Sequence, residues 1–313
     1  MVVRDTLLGV RVAHLKVPPG TAPSVIADHM KEQLARLVSP HQKLLLWFYT
    51  PMALPLAAGL ESDFAVYDCM DDLQSFAGAA PELGQLEEAL LQSVQLVLTG
   101  GRTLFRSRHG RHPSVHLFPS SIDAGHFSGA RGPGHDPHDQ ARIPRPRIGF
   151  FGVIDERMDL DLVAGIARRR PDWNLVMLGP TAKIDPARLP RPFNIHWLGA
   201  KDYMRLPDYM RHWDAGFMPF ARNDATRHIS PTKTPEFLAA GLPLVSTSIA
   251  DVVHDYGHLV AFADDAERFV MALRTALSSR TQGWLARVDA TLARSSWDRT
   301  WGDIAALIGP AHA

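Results

Sequence analysis

Two doubly wound α/β domains facing each other across a cleft are predicted by three observations. Short apolar strand-like runs alternate with helix-like runs, a Gly/Pro-rich stretch interrupts the alternation near the middle, and 313 residues suffice for two separate cores. The strands read as nearly continuous apolar runs rather than alternating ones, the pattern of parallel sheets covered on both faces.

The first helix is expected over Ser24–Val38, with Ile26, Met30, Leu34, Leu37 and Val38 along one face. Strands follow at Leu44–Tyr49, Phe64–Asp68, Val94–Thr99 and Val115–Phe118, with a helix at Pro81–Ser93. Residues 129–146, GARGPGHDPHDQARIPRP, have no apolar periodicity and read as a linker, giving an N-terminal domain at 1–146 and a C-terminal domain at 147–313. Beyond it, strands at Ile148–Phe151, Asn174–Leu178, Asn194–Leu198, Ala215–Met218 and Leu244–Ser246 accompany helices near Met158–Arg169, Leu206–His212, Pro235–Ala240 and Ala266–Ser278. Ligands of such folds sit outside the carboxyl ends of the strands, so site residues are sought just after them.

Composition narrows the function classes. The 33 basic and 33 acidic residues cancel, so no global field recruits nucleic acid. Cys69 is the single cysteine, which excludes an internal disulfide and every multi-cysteine zinc pattern. His109 with His112, and His135 with His138, have metal-like spacing but lie in Pro/Gly-rich loops, and no metal site is assigned to them. No apolar run approaches the ~20 residues that span a bilayer. A soluble, cytoplasmic protein is expected.

The densest chemistry lies in residues 230–247, SPTKTPEFLAAGLPLVST. Thr234 is placed to N-cap a helix, Pro235 suits its first turn, and Gly241 stops it before the strand. Backbone N–H groups at the helix start, the positive end of its dipole and the ammonium of Lys233 together suit a phosphate. An ordinary strand-loop-helix turn is the other reading of these residues.

That segment resembles the donor-binding signature of retaining group 1 (family 4 type) glycosyltransferases, whose pattern is SPxK…E…AxGxPVVST. Other fragments agree in order: Phe118-Pro119-Ser120-Ser121-Ile122-Asp123 with Phe127 is similar to "PNGVD…F", and Ile148–Gly152 is similar to the strand and Gly turn that open the C-terminal domain. Together they cover about residues 45 to 305. The resemblance implies a GT-B fold of two Rossmann-like domains, and transfer of a sugar with retention from a nucleotide sugar, a UDP-sugar, without a metal cofactor. It implies a glycan or lipid-linked acceptor, which leaves peripheral membrane association open.

Carried over residue by residue, the resemblance implies that Gly152 lets the backbone approach the donor phosphates. Arg157 matches the family's loop Lys, while Val153 stands where an Arg is usual, so Lys233 takes the second cationic role. Glu236 matches the second acid of E-x7-E and is expected on the ribose hydroxyls, whereas the first acid is replaced by His228, which puts the donor sugar in doubt. Ser230, Thr232 and Thr234 are phosphate-donor candidates, and Tyr203 is a candidate to stack on the base. In the N-terminal half, Asp68 and Asp71 end a strand; Asp71 falls at the histidine of the family's "HD" loop, and either acid is a candidate to hold or deprotonate the acceptor. No protein nucleophile is required. Arg102, after Gly100-Gly101, is a candidate for acceptor or diphosphate. Trp297-Asp298 resembles the closing "SW" motif, with Trp297 expected as a packing anchor where the last helix returns to the first domain.

The chain is expected to lack the first βα unit or units of the N-terminal domain, because nothing before Ser24–Val38 has a strand-loop-helix pattern and only Gly9–Ala13 suits a short strand. An uncovered sheet edge or apolar face would favour a homodimer or a remodelled acceptor side. Val153 and His228 keep a second class open, a catalytically weakened homologue that binds a nucleotide or a partner. A GT-B sugar-nucleotide epimerase is a third, for which no acid cluster is found.

Overall fold

The computed structural model describes residues 2–6, 9–14, 16–37 and 43–309. Val38, the expected last residue of the first helix, lies outside them. Strands β1 (Val2–Asp5) and β2 (Arg11–His14) pair as an antiparallel two-stranded sheet of their own, so neither joins either larger sheet. Helix α1 (Pro23–Ala35) then leads towards the first parallel sheet.

That sheet contains β3 (Leu45–Phe48), β4 (Phe64–Cys69), β5 (Leu96–Thr99) and β6 (Val115–Leu117), all parallel and in sequence order. Helices α2 (Leu54–Ala57), α3 (Leu83–Ser93) and α4 (Arg102–Arg108) connect them. Strand β3 is an edge strand. One sheet face buries Tyr67, Cys69 and Val97 against Leu90, Leu91 and Leu104.

After α5 (Ala124–Ser128), the second sheet comprises β7 (Arg147–Phe151), β8 (Asn174–Leu178), β9 (Ile195–Gly199), β10 (Ala215–Met218), β11 (Leu244–Ser246) and β12 (Ala261–Phe262), ordered β12-β11-β10-β7-β8-β9. The chain winds outward from β7 through β9 and returns to place β10 on the other side of β7. This reversal is a topological switch point, and a crevice opens there at the carboxyl ends. Helices α6 (Leu160–Arg169), α7 (Leu206–Met210), α8 (Lys233–Ala239), α9 (Ala250–Tyr256), α10 (Ala266–Ala276) and α11 (Gln282–Leu292) cover it. Both of its faces are buried, one around Phe151, Met218 and Phe237 and the other around Phe150, Phe217 and Phe269.

Two expectations need correction here. Residues 129–146 are no free linker: Gln140 is fully buried, donates to Tyr209 O (3.2 Å) and accepts from Trp213 Nε1 (2.7 Å), and Ile143 joins the core of the second sheet. Polarity hid this, because a buried Gln satisfied on both sides reads as loop in sequence. The last helix, α12 (Trp297–Ile308), does return to the first sheet, but through Ile304 and Ile308 against Val66, Leu96 and Leu98. Trp297 is 54% exposed and is not part of that packed cluster.

Candidate functional site

The end of β7 is built from glycine for steric reasons. Gly152 has φ +135°, and a Cβ there would overlap the Lys233 side chain, lying 2.8 Å from Nζ. Gly179, with φ +142° at the end of β8, would drive a Cβ into the carbonyl of Gly152. Backbone bonds from Gly152 N to Leu178 O and from Gly179 N to Gly199 O, both 2.9 Å, hold these strand ends in register.

Lys233 comes from the start of α8, which begins two residues earlier than its capping pattern predicts. Thr232 occupies the N-cap position and makes no side-chain cap bond. Thr234 is fully buried, its hydroxyl directed at Met218 Sδ (3.7 Å), so it is neither the cap nor a group facing the crevice. Pro235 and Phe237 are buried too, and this apolar side anchors the first turn of α8, leaving Lys233 and Glu236 half-buried. Among the described residues neither side chain has a hydrogen bond or ion pair. Burial lowers the Lys233 pKa, opposed by the nearby Glu236 charge. Burial pushes the Glu236 carboxyl up to about 7, only partly offset by Lys233. A cation and an acid held in poor solvation without partners are a site waiting for a ligand of both chemistries.

A cavity of about 230 Å³ lies between the two sheets and is lined by Ser230, Pro231, Thr232 and Lys233 from one loop, Val153 and Arg157 from the β7 end, and Met70, Asp71 and Ser120 from the first sheet. Every one of these segments follows the carboxyl end of a strand or precedes α8. Arg157 is held by Asp155 through Nη2 to Oδ2 (2.6 Å) and Nε to Oδ1 (3.0 Å), with its guanidinium over the Phe76 ring at 5.5 Å. Asp71 has its pKa raised by burial, and the charges of Arg157 and Lys233 work against that rise. The site is therefore formed by both halves of the chain.

Other expected residues lie elsewhere. Asp68 points to the far face of β4, where it accepts from Trp47 Nε1 (3.1 Å), and it does not line the cavity. Arg102 is engaged with Asp255 (2.6 Å) in an ion pair that bridges the two sheets. Tyr203 is 48% exposed and already stacked on His126, with centroids 4.8 Å apart and planes at 16°. His228 is half-buried, its Nδ1 has no partner among the described residues, and burial lowers its pKa while Asp72 and Asp251 pull the other way.

Sequence reading missed two groups that hold this geometry. Asp251 of α9 is buried and accepts from Thr103 N at 3.2 Å, capping α4 of the first sheet from across the cleft. Gly101 lies so close that a Cβ would overlap the Asp251 carboxylate and approach Ser230 Cβ to 2.9 Å. Beside the cavity, buried Arg108 binds Asp72 (2.9 Å) and Glu87 (3.0 Å), and Glu87 accepts from Tyr67 OH (3.0 Å), fixing the loop that carries Asp71. No local pattern marks either group, since each partner comes from a distant segment.

Two facing parallel-sheet units with a cleft between their strand ends define the GT-B class. The sucrose-phosphate synthase from Thermosynechococcus elongatus superposes with a TM-score of 0.74 at 14% identity, covering 97% of this chain and 84% of that one. Anabaena HepE, solved in complex with UDP, gives 0.66 at 13% identity over 91% and 81%. Residues 145–279 match the family model of group 1 glycosyl transferases. TuaH of Bacillus subtilis, named as a teichuronic acid biosynthesis glycosyltransferase, is 27% identical over 227 residues, which is 66% of this chain. The chain spans 56% of that relative's length.

Proposed function

We infer that this protein transfers a sugar, with retention, from a UDP-sugar to a hydroxyl of a glycan or lipid-linked acceptor. The observation that carries this reading is the unpartnered Lys233–Glu236 pair at the start of α8, with Lys233 lying over the Gly152 turn and lining the cavity between the two sheets. Lys233 and Arg157 neutralise the diphosphate, Ser230 and the loop amides donate to its oxygens, and Glu236 accepts from the ribose hydroxyls. Asp71, across the cavity, holds the acceptor hydroxyl. The acceptor oxygen bonds to the anomeric carbon on the face from which the phosphate oxygen leaves, the electron pair departs with the diphosphate, and the hydroxyl proton follows it. Metal independence is part of this reading, supported by two side-chain cations at the phosphate position.

Calorimetric titration with UDP, with and without EDTA, followed by turnover with a panel of UDP-sugars and determination of the product anomer, tests each part. Abolition of UDP binding by EDTA would overturn the metal-free cleft. The second reading, nucleotide binding without transfer, is favoured by Val153 lining the cavity where the resembled family carries a cation. Binding without turnover on any donor would select it.

A further inference from the structure

The first sheet carries an aromatic cluster that the transfer chemistry does not use. Trp47, near the end of β3, has Tyr49 at 6.4 Å with planes at 42°, and Trp301 of α12 at 6.3 Å and 38°. Tyr49 is 68% exposed and Trp301 is 55% exposed. Asp68 lies against the cluster, where its Oδ2 accepts from Trp47 Nε1 and its Oδ1 has no partner among the described residues. The strands are parallel, so Tyr49 after β3 lies at the same end of the sheet as Asp71 after β4. Thr300 bonds Ser121, the chain neighbour of the cavity-lining Ser120, at 2.6 Å, which brings the adjacent Trp301 to this same end.

We propose that Tyr49, Trp47, Trp301 and Asp68 form a saccharide platform that holds the sugar units of a glycan acceptor beyond the reacting hydroxyl. The proposal rests on the transferase reading for the role of that glycan. A sugar ring offers an apolar C–H face to stack on an aromatic ring and, at its rim, hydroxyl donors for a carboxylate. The cluster presents both partners side by side. A bilayer or an apolar protein face would cover Asp68 and supply no donor, leaving a buried acceptor unsatisfied. Asp298 and Asp303, exposed on the same helix, outnumber its exposed Arg299 and disfavour an anionic lipid surface.

The test uses the full chain, titrated with neutral cello-, malto- and chito-oligosaccharides by tryptophan fluorescence and, in parallel, with UDP by calorimetry. At least one series is expected to bind, with affinity that grows with chain length. Trp301→Ala and Tyr49→Ala should each weaken that binding about five- to tenfold, the scale of one lost aromatic contact, while UDP affinity and thermal midpoint stay unchanged. Saccharide affinity equal in wild type and both variants overturns the platform. UDP binding with no saccharide binding overturns it too and leaves the transferase reading standing. Trp301-dependent saccharide binding without UDP binding keeps the platform and removes that reading. Absence of saccharide binding together with sedimentation on phosphatidylglycerol vesicles, or with a dimer that Trp301→Ala dissociates, assigns the patch to a membrane or a second copy and overturns the proposal.

Discussion

Lys233 lies across Gly152 so closely that a single added carbon on the glycine would overlap its side chain. One residue opens α8 and the other directly follows β7, and the absence of a side chain at Gly152 gives the Lys233 ammonium its path into the cleft between the sheets.

Replacing Lys233 by Ala is expected to weaken UDP binding by about 1.5–3 kcal/mol, the loss of a charge-assisted contact to phosphate. Gly152→Ala should weaken it as well by displacing the ammonium, and should cost on the order of 1–3 kcal/mol in stability from the positive φ. Calorimetry and denaturant melts measure both. Unchanged UDP affinity in Lys233→Ala would place the diphosphate elsewhere.

Glu236 should give a pH signature. Its folded pKa of about 7 lies above the ordinary 4.5 because burial disfavours the charge. Between those values the unfolded chain ionises this group while the folded protein does not, so its contribution to stability falls as pH rises and levels off above 7. Glu236→Gln lacks this slope, so its stability relative to wild type should increase across that window, by about 1–3 kcal/mol. UDP affinity of the wild type should strengthen as pH rises through 7, because ribose hydroxyls bind the carboxylate better than the acid. Parallel stability profiles for the two proteins would remove the buried-acid assignment.

Asp71 and Asp68 should separate by variant. Asp71→Asn is expected to lower kcat roughly 10²-fold, while UDP affinity holds or rises because a negative charge leaves the cavity. Asp68→Asn, whose carboxylate bonds Trp47 on the other face, should keep kcat near wild type and raise KM for the acceptor. Equal loss of kcat in both would contradict the placement of Asp68 outside the cavity.

Asp251 should govern how the two sheets meet. Asp251→Ala removes the cap on Thr103 N and should cost about 1–2 kcal/mol. Gly101→Ala should push the sheets apart at Ser230, visible as a larger radius of gyration in X-ray scattering and as weaker UDP binding. A radius identical to wild type would show that this contact does not set the closure.

The alternation of elements was determined by the sequence alone, because strand and helix periods, Gly stops and Pro starts act over a few residues. Every expected strand from Leu44 onward has its counterpart within about two residues. The Gly152 turn and the Lys233–Glu236 pair were legible for the same reason, since spacing within one strand-loop-helix unit fixes their relation. Only the tertiary structure decided that Asp71 enters the cavity while Asp68 faces Trp47, because register across β3 and β4 assigns the faces. The Asp251 cap, the Arg108 network and the buried Gln140 arose in the same way. Each pairs groups far apart in sequence, and their polarity, which marks surface in a linear reading, becomes structural once burial removes the water that would otherwise satisfy it.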